Sequence, residues 1–249
     1  MNNVSWFERE EDWTLKRAII FNKDLVRLTF LEVGRLVKLI GDLKGNCRVL
    51  DLCCGIGRHS IQFAKHGFSV TAVDITKLYL DIASKNAQKE RLGIRFIHSD
   101  MRTFCEPGSF DLVVNLCTSF GYFDDINDDI AVIKNIYKSL VPGGRFVIEI
   151  LGKEVIASTL KVTEELEFEG YKVLATTRIL ENWNRLECTR LITKDGKQEK
   201  IIAYHRLYSA TELKTHIESV GFKNQRIYGD FSGRPYDNNA QTLIIIAEK

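Results

Sequence analysis

From Arg48 to Ile150 the chain repeats a short apolar run, a turn and a helix-like stretch, and this alternation leaves little choice of fold. The runs Arg48–Leu52, Phe68–Val73, Arg95–His98, Phe110–Asn115 and Arg145–Ile150 have strand length. Helical patterns separate them. Arg58–His66 carries Ser60, Phe63 and Ala64 along one side, and Thr76 is placed to cap a helix bearing Leu78, Ile82 and Ala83. Ile126, Ile130, Ile133, Tyr137 and Leu140 form a further stripe before the Pro142-Gly143-Gly144 turn. Strands alternating with helices of this size predict right-handed crossovers and a parallel sheet.

The flanks modify this frame. Ahead of it, an arm carrying Trp6, Phe7 and Trp13 leads into a stripe of Val26, Phe30, Val33, Val37 and Ile40, with Gly41 as the stop. Behind it, Tyr171–Leu180, Asn184–Thr193 and Glu199–Leu207 are β-prone and closely connected, which predicts an antiparallel three-stranded excursion. Ser209-x-x-Glu212 is a capping box for a helix with Leu213, Ile217 and Val220, closed by Gly221. Lys223–Phe231 and Thr242–Ala247 supply the last two strands. The expected fold is α/β, doubly wound and Rossmann-like, with a mostly parallel seven-stranded sheet and an antiparallel insertion after the fifth strand. The expected division is an arm or lid over 1–45, a main domain over 46–151 and 207–249, and a substrate lid over 152–206.

Composition narrows the partners. With 45% hydrophobic and 27% charged residues the chain is globular, and a net charge of +2 gives no field favouring nucleic acid or anionic membrane. The apolar run Leu243–Ala247 is far too short to span a bilayer, and Met1–Glu11 resembles no export signal, so a cytoplasmic address is expected. None of the six cysteines forms a C-x-x-C pair, so structural thiols are expected and no metal site.

The chemistry lies where strands end. In Asp51-Leu52-Cys53-Cys54-Gly55-Ile56-Gly57-Arg58, two glycines open the backbone to a ligand at a helix N-terminus. Asp74 ends the second strand, nineteen positions after Gly55, the spacing at which an acid binds ribose hydroxyls. A nicotinamide enzyme shares that arrangement. Its third glycine, however, is Ser60 here, and Asp51 ahead of the turn would repel a pyrophosphate while attracting an amino group.

Those residues, with Ser99-Asp100-Met101 after the third strand, Phe110-Asp111 opening the fourth and Pro142-Gly143-Gly144 before the fifth, resemble the class I S-adenosylmethionine-dependent methyltransferases. The resemblance runs from about Arg48 to Lys249. It implies S-adenosylmethionine as cofactor, with Asp51 near the methionine amine, Gly55 and Gly57 beneath the cofactor, and Asp74 with neighbouring Ile75 at the ribose. It further implies Asp100 at the adenine amine, Met101 against the ring, and Asn115 and Leu116 at the sulfonium. Cys53 replaces the first glycine of the family pattern, as a small residue that the turn tolerates beside the cofactor.

Methyl transfer demands alignment more than acid–base chemistry. Tyr122, in the segment after the fourth strand, and His205, at the end of the insertion, are the candidate catalytic residues; Tyr204, Trp13, Arg17, Asp230 and Tyr236 are candidate pocket neighbours. Asn115-Leu116-Cys117-Thr118 lacks the Asn/Asp-Pro-Pro-aromatic signature of adenine-base methyltransferases. The insertion and arm resemble the lids of small-molecule members such as sugar-amine N-methyltransferases. The expected function is therefore methyl transfer to a nitrogen or oxygen of a small acceptor. The competing readings are an RNA methyltransferase, a nicotinamide-dependent oxidoreductase and a non-catalytic cofactor-binding regulator. The residues leave the acceptor atom and the oligomeric state open.

Overall fold

The computed structural model describes residues 5–21, 23–43 and 46–249, and within them every side chain except those at 16–18, 23–25 and 168. Five strands, β1 (Arg48–Leu52), β2 (Ser69–Asp74), β3 (Ile94–His98), β4 (Phe110–Asn115) and β5 (Leu140–Ile150), run parallel. β10 (Lys223–Tyr228) and β11 (Leu243–Glu248) complete the sheet antiparallel, in the order β10-β11-β5-β4-β1-β2-β3. The order reverses between β1 and β4, so the crevice beyond their carboxyl ends is the natural ligand site.

Alternate side chains leave the sheet toward two cores. Leu50, Val113, Phe146 and Ile245 meet Val132, Ile133 and Ile136 of α5 (Ile126–Ser139) and Leu213 and Ile217 of α7 (Ala210–Val220). Val49, Leu112, Val147 and Ile244 meet Val33, Leu36 and Ile40 of α2 (Lys23–Ile40) and Phe63 of α3 (Arg58–Lys65). Burial on both faces is what a parallel sheet requires.

Three expectations shift. The α2 stripe is rotated: Thr29, Val33, Leu36 and Ile40 are buried, whereas Phe30 is 63% exposed and Val26 39%. A pattern of apolar residues alone could not find that face, because one of its buried positions is a threonine. Leu140 belongs to β5, opposite Phe110, rather than to α5. The insertion has four strands and a helix: α6 (Lys153–Thr159), then β6 (Thr163–Phe168), β7 (Tyr171–Leu180), β8 (Arg185–Lys194) and β9 (Lys197–Arg206), all antiparallel. β6 escapes detection because Glu164, Glu165 and Glu167 crowd it, a composition suited to an edge strand. Two-residue turns with positive φ at both positions, Glu169-Gly170 and Asp195-Gly196, join β6–β7 and β8–β9. The inner face of this sheet places Val173, Ile192 and Ile201 against Leu15 and Ile19 of α1 (Glu10–Ile20).

Asp129 fastens the insertion to the main domain. It is 1% exposed, and Tyr208 Oη donates to its Oδ2 at 2.7 Å while Arg206 Nε lies 3.6 Å away. Burial outweighs these partners and pushes the carboxyl up from 3.8 to about 6. A folded pKa above the unfolded one means stability that is complete below about pH 4 and lost as pH rises through about 6. Thermal unfolding measured from pH 4 to 7 should therefore show a fall that Asp129→Asn flattens, the two curves diverging by up to about 3 kcal/mol. Parallel curves would remove Asp129 as the cause.

Candidate active site

At the carboxyl end of β1 the chain turns sharply, and the turn is held by Asp74. Its Oδ2 accepts from Gly55 N at 2.7 Å and its Oδ1 from Thr76 N at 2.8 Å. The acid thus fixes the glycine turn before it meets any ligand. Cys53 takes φ 65°, the left-handed region that explains why the family pattern has glycine there. Its Sγ donates to Met101 Sδ at 3.4 Å. Burial, followed by the carboxylates of Asp74 and Asp51, raises the thiols of Cys53 and Cys54 well above their usual range, so both stay protonated and neither is a nucleophile.

A cavity opens beside this turn. Asp51, Cys53, Gly55, Asp74 and Ile75 line it, together with Asp100, Met101 and Leu116. Two residues expected at the cofactor stand behind the wall. Gly57, φ 75°, precedes α3, where a Cβ would come within 2.9 Å of Ala83 Cβ. Asn115 is fully buried, and its Nδ2 bonds Leu52 O and Ser119 O, tying β4 to β1. Asp51 is 2% exposed and accepts from Ser60 Oγ at 2.5 Å; burial raises its carboxyl, which His59, Ser60 and Arg58 oppose.

Asp100 is not an isolated acid. Arg102 N reaches its Oδ1 at 2.7 Å, and Arg102 Nε and Nη2 reach Oδ2 at 2.8 and 2.5 Å. Arg102 also pairs with Glu8 at 2.9 Å and lies over the rings of Phe7 and Phe123. Here the arm is latched to the domain. A second latch is Glu10, whose Oε1 accepts from Leu78 N at 3.0 Å at the start of α4 (Lys77–Lys89). A third is the Tyr79 hydroxyl, which donates to Trp13 O. Glu8, Glu10, Tyr79 and Arg102 were invisible as site residues in the sequence, since each acts across a long separation. Trp13 lines the cavity as expected, while the side chain of Arg17 lies outside the described residues.

A second cavity, of roughly 540 Å³, lies between the carboxyl edge of the sheet and the inner face of the insertion. Trp13, Ile20, Cys117 and Tyr122 line both cavities. Tyr122 stacks edge-on against His205 at 5.1 Å and Trp6 at 4.9 Å. The strand alternation separates the neighbours His205 and Tyr204: His205 lines this cavity, and Tyr204 lines a groove with Lys200 and Ile202. Asp230 and Tyr236 line neither cavity. Asp230 accepts from Ser232 N and Arg234 N within its own loop, and Tyr236 Oη donates to Glu154 Oε2 at 2.9 Å. Below the junction, Glu149 accepts from Cys117 N at 2.6 Å and holds a strained pair, Cys117 and Thr118, at φ 60° and 54°.

The donor set fits S-adenosylmethionine. A buried carboxylate at the β1 end suits an ammonium, an acid at the β2 end suits ribose, and glycine at 55 leaves a cradle that a Cβ would fill, 2.8 Å from Phe21 Cζ. Residues 49–144 match the family described as Methyltransferase domain. A methyltransferase domain thus occupies residues 49–144 of this chain, the stretch that holds β1 to the start of β5. The YqeM protein of Bacillus subtilis strain 168 is 28% identical over 81% of this chain and 84% of its own length. An S-adenosylmethionine-dependent methyltransferase from Clostridium acetobutylicum superposes with a TM-score of 0.78 at 15% identity, covering 96% of this chain and 97% of that one. CalS10, an amino pentose methyltransferase from Micromonospora echinaspora solved with S-adenosylmethionine bound, gives 0.62 at 20% identity over 99% and 92%. Both structures share the methyltransferase fold, insertion included in the aligned span. Among the described residues no group of side chains could hold a metal ion, and no helix is long and apolar enough to cross a membrane.

Proposed function

We propose that this methyltransferase acts in the cytoplasm on a nitrogen or oxygen of a small organic acceptor held in the cavity under the insertion. The observation that carries the proposal is the junction of the two cavities at Trp13, Ile20, Cys117 and Tyr122, where an acceptor in the second cavity meets the cofactor site. When bound, S-adenosylmethionine supplies a methyl group on a sulfonium, a good leaving group for in-line displacement. The chain's own residues then bind, align and exclude water. Asp51 and Asp74 anchor two ends of the cofactor, and Met101 and Leu116 line the space between them. Trp6, Phe7, Trp13 and Tyr122 form an aromatic roof that repels water and favours positive charge.

In this proposal the start of the 1–45 arm, from Trp6 to Ile20, and the insertion over 152–206 serve as the two lids, while α2 packs on the sheet as part of the cofactor domain. An acceptor enclosed by a roof and a strand face is small, which argues against a nucleic-acid strand. The amino pentose specificity of CalS10 supports the same class. The test is transfer of radiolabelled methyl from S-adenosylmethionine to panels of amines, amino sugars and phenols, with total RNA in parallel. Label in a small product is the expected result. Label in RNA alone, or none in any acceptor despite cofactor binding, would overturn the proposal in favour of RNA methylation or a regulator.

A further inference from the structure

The second cavity changes character along its length. At the junction it is aromatic, where Trp6, Trp13 and Tyr122 gather. Away from the junction its wall is the inner face of β8, which presents Leu186, Cys188, Arg190 and Ile192 in alternation. Cys188 and Ile192 are 8% and 3% exposed. Across the sheet, Arg190 stands between Ala175 of β7 and the buried Ile201 of β9. A guanidinium therefore occupies a position where the alternation calls for an apolar side chain, and its apolar neighbours give it nothing to bond.

The other lysine and arginine side chains described on this wall are engaged. Lys161 pairs with Glu164 at 2.8 Å, and Arg206 donates to Asp124 O at 2.7 Å and lies 3.6 Å from Asp129. Glu164 shares a row of the sheet with Arg190, across Ala175, yet its carboxylate is the one that Lys161 takes. Among the described residues Arg190 makes no hydrogen bond and no ion pair. Its five N–H donors thus stay available to whatever enters the cavity. A planar fork of donors matches the oxygens of a carboxylate or a phosphate, two at a time.

The strand also supplies a ruler. Leu186 pairs with His205, whose ring meets Tyr122 edge-on at the junction. Arg190 comes four residues later on the same strand, about 13 Å away at the rise of an antiparallel strand.

We propose that the acceptor is an anion, with a carboxylate or phosphate ester gripped by Arg190 and the methyl-accepting atom at its opposite end, beside Tyr122. Arg190 is then the residue that sets acceptor specificity. An α-amino acid, whose amine and carboxylate share one carbon, is too short to span the site. This inference rests on the small-acceptor reading above, and its test separates the two.

The test offers matched pairs of acceptors in the radiolabel assay to the unaltered enzyme, Arg190→Gln and Arg190→Lys. The pairs are ω-amino carboxylates of graded length, from glycine upward, with their amides; ω-aminoalkyl phosphates with the parent amino alcohols; and hydroxyphenyl alkanoates with their amides. In at least one series the unaltered enzyme should favour the charged member by about 10- to 100-fold in kcat/KM, the worth of a charge-assisted contact, and favour long members over short. Which series responds tells carboxylate from phosphate. Arg190→Gln should shrink the preference to within about 3-fold, through KM rather than kcat, and Arg190→Lys, with a charge but no fork, should fall between. A structural role alone would slow both members of a pair alike. Equal use of both members by the unaltered enzyme, or an undiminished ratio in Arg190→Gln, would overturn the inference. So would turnover confined to neutral acceptors, which leaves the small-acceptor reading standing. If Arg190→Gln fails to fold, the unaltered enzyme and Arg190→Lys still decide it. Label in RNA alone, or in no acceptor although S-adenosylhomocysteine binds, would overturn the small-acceptor reading and this inference with it.

Discussion

Asp74→Ala should weaken S-adenosylhomocysteine binding by at least ~100-fold in calorimetry, more than any other single change at the cofactor wall. Three losses coincide at this side chain. In the proposed site an acceptor for ribose hydroxyls disappears, and hydrogen bonds to charged groups contribute about 1.5–3 kcal/mol each. Gly55 N and Thr76 N, now bonded to Asp74 at 2.7 and 2.8 Å, lose their acceptor in a site that is 7% exposed. The turn carrying Cys53 at φ 65° and Gly55 at φ 55° then keeps the bonds from Cys54 N to Val73 O and from Gly57 N to Cys54 O but loses its side-chain anchor. Asp74→Asn, which keeps one oxygen acceptor, should recover part of the affinity. A modest fall in melting temperature accompanies the alanine change, because the β1–β2 pairing from Arg48↔Ser69 to Leu52↔Val73 is independent of the side chain. Unchanged affinity in a folded Asp74→Ala protein would mean that the ribose is held elsewhere.

The parts of this molecule that were legible in sequence share a cause: they are local. A strand, a two-glycine turn and a helix start lie within Arg48–Lys65, so their chemistry is compressed into one readable stretch. Asp74 could be read because a βαβ crossover has a nearly fixed length. What escaped depends on partners far along the chain. Arg58 stands beside the turn in plain view, but its meaning comes from Thr29, Glu32 and Cys117. Arg102 follows Asp100 and Met101 directly, and only the fold shows Glu8 and Phe7 reaching it from the arm. Likewise Glu149 reads as one polar interruption of an apolar strand. In the structure it is the buried acceptor beneath Cys117 and Thr242. Single polar residues on apolar elements were the signal, and their alternation with apolar neighbours concealed them.

Tyr122 offers the sharpest separation between packing and proton transfer. Its ring lies among Trp6, Phe7, Trp13 and His205, with centroids 4.9 to 6.4 Å apart. Loss of solvation there drives the phenol far above its ordinary range. Such a hydroxyl keeps its proton throughout the working pH range and cannot act as a phenolate base. Removing a true general base typically costs 100- to 10,000-fold, roughly. Tyr122→Phe should instead retain turnover within about 10-fold, with an unchanged alkaline limb in the pH–rate profile. Tyr122→Ala should behave differently, because it removes the ring joining both cavities and leaves the roof unsupported. A loss of stability smaller than the about 3–5 kcal/mol typical of a fully buried aromatic, because Tyr122 is only partly buried, should accompany a sharp rise in KM for both cofactor and acceptor. Initial rates across pH with the acceptor found by the labelling screen, and thermal melts of the three proteins, measure this contrast. A loss of ~100-fold or more in kcat for Tyr122→Phe at unchanged KM would assign the proton to Tyr122 after all and make the ring's burial a device for holding it.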